Sequence, residues 1–339
     1  MEINHIPADW NGASLRLNSA EGLSRLLSVP GVGPKTALAL AARFTSWDEM
    51  TRAPGAVMAE VAGQRATRAD FSLGRPLPEK ALDGVVTVFD DSYPPLLRDI
   101  DDPPVLLWTL GDVGPAGSLA GAVVGTRQPT RWGCRVAAAA AEAIGYSGAS
   151  VVSGLALGID GEAHRAALAS GHHTVAVLGS GVDSPSPREH QELAEAILEA
   201  GGALVSEMPP GTAPSARTLV GRNRLQSGLS RLTVVAQCGI PSGTLHTARF
   251  TLLQGRRLIV PVPTGAHADD PASAGNVALA VSEPDPTVLR ASKGDAAWLT
   301  RRARLADDTP ENGEELSTTI RAVLAADERK RPPVQGRLL

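Results

Sequence analysis

Four short turns in this chain set a glycine beside a hydroxyl or a guanidinium directly after an apolar run. They are Gly125-Thr126-Arg127, Ser153-Gly154, Gly179-Ser180-Gly181 and Ser242-Gly243-Thr244. A glycine lets a ligand approach the backbone. A helix that starts just beyond it offers unpaired N–H donors, so the two together can cradle an anion. Arg127 and Arg131 add planar forks suited to phosphate oxygens. No Asp or Glu stands between Val113 and Ala141. The competing reading is a tight strand-to-helix turn, with Ser242 or Thr244 as an N-cap.

A second signal is charge. From Met208 to Ala268 there is no Asp or Glu, but there are seven arginines: Arg217, Arg222, Arg224, Arg231, Arg249, Arg256 and Arg257. The whole chain carries a formal charge of −4, so this segment is +7 and the remainder −11. Charge sorted in this way points to a polyanion site. Seven arginines that cap helices and pair with acids elsewhere would give the same sequence. Arg222 and Arg224 flank Asn223, and at helical spacing they diverge, so at most one or two of the three face the glycine turns.

Other chemistries lack their residues. The stretch SGLALGIDGEAHRAAL, 153–168, has neither GxGxxG spacing nor a P-loop lysine, so no dinucleotide or triphosphate fingerprint is present. Asp160 is expected to cap the helix that carries His164, and His164 to be structural. No GxSxG elbow surrounds Ser153, Ser180 or Ser242. Cys134 and Cys238 have no ligand spacing with the seven histidines, so no metal site, cofactor or catalytic residue is expected. Aromatic residues make up 3% of the chain, which weighs against binding by base stacking. Two cysteines, no signal peptide and no apolar run of 18 residues give the expectation of a cytoplasmic protein.

These turns need elements to hold them. From Ala120 the pattern alternates apolar strands with amphipathic helices, which predicts a doubly wound, mostly parallel α/β sheet. Ligands of such sheets sit outside the C-terminal strand ends, where the glycine turns fall. Upstream, apolar residues at helical spacing flank Pro30-Gly31-Val32-Gly33, which reads as a helix-hairpin-helix that either holds a phosphate or serves as scaffold. The segment 90–112 is Pro-rich and reads as an ordered crossing segment. The expected domains are 1–80, helical; 81–283, Rossmann-like; and 284–339, a helical extension with a basic tail and no clear winged helix.

The pieces SYPPLL, VVGTRQPTRWG, SGLALGIDGEAH, VAVLGSGVD, SEMPPGTAP, GRNRLQSGLS, SGTLHTA and GRRLIVPVP stand in one order between Ser92 and Pro263. In that order they resemble the DNA-processing protein A (Smf) family. The resemblance covers Leu23 to Pro263. It implies a Rossmann-like domain behind a small helical domain, single-stranded DNA as ligand, the RecA recombinase as partner in natural transformation, and a homodimer. It also implies phosphate contacts from Gly125, Thr126, Arg127, Ser153, Gly154, Arg222, Asn223, Arg224, Ser242 and Gly243. The chain departs from the family's pattern at Gln237, where members often have Glu, and at 264–281, where only Asn276 echoes a closing segment. Two further readings stay open: a nucleotide sensor or nucleoside-monophosphate hydrolase of the same superfamily, and an interaction scaffold that does not bind DNA.

Overall fold

The computed structural model describes residues 15–64, 66–280, 287–289 and 313–326. The chain divides into two compact units. The first ends at Ser92 and takes in Pro104–Leu107; the second holds Tyr93–Pro103 and the chain from Trp108 on.

In the first unit, α1 (Ala20–Ser28) and α2 (Pro34–Arg43) form a helical hairpin, followed by α3 (Trp47–Arg52) and α4 (Gly55–Ala62). The Ser19 hydroxyl caps α1 by accepting from the Gly22 N–H at 3.1 Å. Pro34 opens α2, where its missing N–H costs nothing. Gly31 turns the hairpin at φ +86°, a conformation that favours glycine. Leu23, Leu26, Leu40 and Met50 fill the core. Arg25 lies over the Trp47 ring at 3.8 Å, a cation–π contact on a buried stem. β1 (Val85–Thr87) closes this unit.

The second unit is built on a sheet. Its strands are β2 (Leu106–Gly111), whose first two residues are counted with the first unit, β3 (Ala120–Gly125), β4 (Ser150–Ser153), β5 (Thr174–Leu178), β6 (Ala203–Ser206), β7 (Leu232–Gln237) and β8 (Arg257–Ile259). The full order is β1-β2-β6-β5-β4-β3-β7-β8. All the β3–β8 pairs are parallel, and β2 joins β6 antiparallel. The expected α/β class and mostly parallel Rossmann-like sheet are therefore present. The segment 90–112 was expected to be only a crossing. It instead holds α5 (Pro95–Arg98) and the edge strand β2. The paired prolines Pro94-Pro95 and Pro103-Pro104 hid the apolar run LLWTLG that follows them.

The connecting helices are α6 (Arg131–Tyr146), α7 (Ile159–Ala169), α8 (Gln191–Glu199), α9 (Ala216–Gly228), α10 (Thr244–Leu253) and α11 (Ala274–Leu279). On one side of β3 and β7, Ala137, Ala140, Ala141 and Ile144 of α6 pack with Ile159 and Ala163 of α7. The small side chains of α6 let α7 approach closely. Leu316, Ile320 and Leu324 of α12 (Gly313–Ala325) join that cluster at helical spacing. A separate cluster gathers Val124, Val235, Leu245, Leu252 and Leu279 around α10. The expected linker Pro284–Pro286 and the basic tail lie outside the described residues.

Candidate nucleic-acid interface

β3 is the branch point of the sheet. The chain runs from it through β4 and β5 to β6 on one side, then returns to β7 on the other. That reversal makes the crevice beyond β3 and β7 the place where a doubly wound sheet takes its ligand. The turn after β3 is held there from several directions. The Thr126 N–H donates to Gln237 O at 2.7 Å, and the Ile159 N–H donates to Thr126 O at 3.1 Å. Gly158, at φ +77°, lies so close to the Thr126 and Arg127 carbonyls that no Cβ fits. Thr130 caps α6, its Oγ1 accepting from Gly133 N–H. Arg127 and Arg131 then stand exposed on either side of that cap.

The turn after β7 comes to the same edge. The Thr244 N–H donates to Ser242 Oγ at 3.2 Å. The Asn223 amide donates to Gly243 O at 3.4 Å, tying α9 to this turn. Among the described residues, and apart from its chain neighbours, nothing lies within 4 Å of where a Gly243 Cβ would be, so that backbone is open.

Arg222 is placed differently from the exposed fork expected of it. Its side chain is buried against Gly154, where a Cβ would collide with the guanidinium. Nη1 donates to Val177 O at 3.0 Å, and Nη2 lies 3.8 Å from Asp160 Oδ2. Burial holds the Arg222 pKa below its ordinary value and raises that of Asp160. Asp160 is not the cap of α7; Gly158 takes that position, and Asp160 sits in the first turn facing Arg222. Ser153 is also internal, with its hydroxyl donating to Val123 O at 2.6 Å.

Arg224 points elsewhere. It pairs with Glu207 at 2.6 Å and Asp102 at 2.9 Å, and its Nη1 donates to Gly221 O. Two residues along a helix are about 200° apart, so Arg222 and Arg224 cannot share a cleft. The edge thus gathers Gly125, Thr126, Arg127, Ser153, Gly154, Arg222, Asn223, Ser242 and Gly243, and leaves Arg224 apart.

The acid-free segment does not fold into one basic groove. It spans α9, β7, α10 and β8, so it crosses the sheet twice. Arg231 precedes β7 and donates to Ser118 O and Leu324 O; Arg257 opens β8; Arg256 is buried and donates to Leu96 O. These three sit at the N-terminal strand ends, opposite the crevice. The exposed positive charge beside the β3 turn comes from Arg127 and Arg131 instead, while Arg222 is buried against Asp160.

The sequence pattern of the DNA recombination-mediator protein A family matches residues 84–287, more than half of the chain. The chain belongs to this family. Protein Smf of Escherichia coli is 39% identical over 227 residues, covering 65% of this chain and 58% of that protein. DNA processing protein DprA of Bacillus subtilis is 37% identical over 196 residues, covering 57% of this chain and 64% of that protein. The matches therefore span less than two thirds of these relatives' length. The X-ray structure of DNA processing protein A from Streptococcus pneumoniae superposes with a TM-score of 0.62 at 28% identity, over 76% of this chain and 91% of that one.

Three further residues stand at the crevice: Trp132 escaped the sequence reading, whereas Gln237 and Asn276 entered it only against the family's pattern, with no structural role. Trp132, in the first turn of α6, stacks on His267 with centroids 6.1 Å apart. Its signal was an aromatic two residues after a capping threonine, masked by the low aromatic total. Gln237 is fully buried and bonded to Thr130 and Ser273. Asn276, also fully buried, accepts from the Cys238 N–H and donates to the Val235, Ala236 and Pro261 carbonyls. His164 is the core residue expected, bonded to Thr174 at 2.8 Å, with burial pushing its pKa down to about 3. Burial pushes the Cys238 thiol up to about 12. Among the described residues no cluster of three metal-ligating side chains occurs, and no helix is long and apolar enough to cross a membrane.

Proposed function

We propose that this chain binds single-stranded DNA by its sugar–phosphate backbone at the C-terminal edge of the sheet, and hands it to the RecA recombinase in the cytoplasm, acting as a homodimer and making or breaking no covalent bond. One observation carries the DNA reading: exposed Arg127 and Arg131 flank the start of α6 just beyond the C-terminal end of β3, and the turn with Ser242-Gly243 follows the C-terminal end of the neighbouring parallel strand β7. Backbone donors and arginines recognise phosphate and not base edges, so little sequence preference is expected. The recombinase partner extends the family description, DNA recombination-mediator protein A, and the name of the Bacillus subtilis relative agrees with DNA processing.

The test is RecA filament assembly on an oligonucleotide already coated with single-strand-binding protein. The chain should shorten the lag, and the Arg127→Ala/Arg131→Ala variant should not. An unchanged lag with the wild-type chain would remove the mediator role, and base release from a panel of nucleoside monophosphates would favour the hydrolase reading.

A further inference from the structure

We propose that Gln237 is the positioning residue of this interface, because it holds both ends of the Thr126–Thr130 turn on which Arg127 sits. The assignment rests on the DNA reading above. At one end the Thr126 N–H donates to the Gln237 backbone carbonyl at 2.7 Å. At the other the Thr130 N–H donates to Gln237 Oε1 at 2.8 Å, while Gln237 Nε2 donates to Thr130 Oγ1 at 3.0 Å and to Ser273 Oγ at 2.9 Å. Every polar atom of this fully buried amide is therefore engaged with the turn or with the segment behind it.

A backbone irregularity aims the side chain. Val124 pairs with Val235, but Gly125 pairs with Gln237, so Ala236 is an extra residue in β7. A bulge of this kind redirects the residue that follows it. The carbonyls of Val235 and Ala236 accept from the Asn276 amide. Gly133 completes the arrangement, since any Cβ there would collide with Gln237 Oε1.

The result is a defined set of donors. Gln237 takes the Thr130 N–H and Thr130 Oγ1 takes the Gly133 N–H. The N–H groups of Arg131 and Trp132, the other two of the first turn, have no intrahelical acceptor. Gln237 sets the direction in which those donors and the Arg127 side chain face.

The test compares Gln237→Leu, which fills the site with an apolar side chain and removes both polar functions, with Gln237→Glu, whose oxygens can accept from Thr130 N–H and from the Thr130 and Ser273 hydroxyls. Thr251→Val is the control: it removes a buried hydroxyl bond to Thr233 without touching the turn. Binding of a fluorescent oligo-dT is followed through a salt series. Gln237→Leu should bind about tenfold more weakly at each salt concentration, with the slope of log affinity against log salt unchanged. Gln237→Glu should stay within about threefold of wild type, and Thr251→Val should match wild type at a comparable loss of stability. Wild-type affinity in Gln237→Leu, a reduced slope, or an equal loss in Thr251→Val would each overturn the assignment. A wild-type chain that ignores the oligonucleotide would overturn the reading of the site and the assignment with it.

Discussion

Arg222 and Asp160 face each other at 3.8 Å beneath the turn after β4, with side chains only 6% and 7% exposed. α9 supplies the cation and the first turn of α7 the carboxylate. The pair therefore fixes the edge of the sheet from both connections, and Gly154 is glycine because the guanidinium occupies its Cβ position. Asp160→Asn leaves a buried cation unpaired and should cost about 3 kcal/mol, measured by urea unfolding. Asp160→Asn combined with Arg222→Met should recover part of that loss, because no charge is then left in the interior. Equal losses in the single and double variants would show that the pair does not act as a unit.

Arg224 and Arg127 separate structure from binding. Arg224 is held by Glu207 and Asp102, so Arg224→Ala should lower stability by about 2 kcal/mol. Its affinity for single-stranded DNA should keep the wild-type salt slope. Arg127→Ala should leave stability unchanged within about 0.5 kcal/mol. It should make the salt slope about 0.7 less steep, the share of one phosphate on a single strand. Thermal unfolding and fluorescence anisotropy read the two quantities, and an exchange of the two effects would contradict the placement of both arginines.

His164 makes the fold acid-sensitive. Burial first, then the charges of His190, Arg222 and Arg165, lowers its pKa from 6.5 to about 3. Below pH 6.5 the unfolded chain takes up a proton that the native chain refuses until about pH 3. Stability from this group is therefore complete above 6.5 and lost as pH falls through that window, at about 1.4 kcal/mol per pH unit. His164→Gln should have a flatter profile of unfolding free energy between those limits. Parallel profiles for variant and wild type would show that His164 is protonated in the fold.

What was legible in the sequence follows from local physics. Alternating apolar strands and amphipathic helices predicted the parallel sheet, and the glycine turns at the ends of β3, β4, β5 and β7 marked its ligand edge. β2 was hidden because prolines on both sides of LLWTLG read as an irregular crossing. The arginine segment misled for a different reason: charge counts along the chain ignore which end of the sheet each residue reaches. Arg231 and Arg257 begin strands, whereas the glycine turns end them. Arg222 looked like a phosphate fork until Asp160, 62 positions away in sequence, was seen to pair with it. Gln237 carried no local signal, because its direction depends on a bulge defined only by the pairing of β3 with β7.

The most direct measurement is the affinity for single-stranded and duplex oligonucleotides of one length through a salt series. If the crevice holds four to six phosphates, log affinity for the single strand should fall with log salt at a slope of roughly −3 to −4, with equal values for different base compositions. The duplex should bind more weakly at every salt concentration. A flat salt response, or a preference for the duplex, would contradict phosphate binding at the β3–β7 crevice.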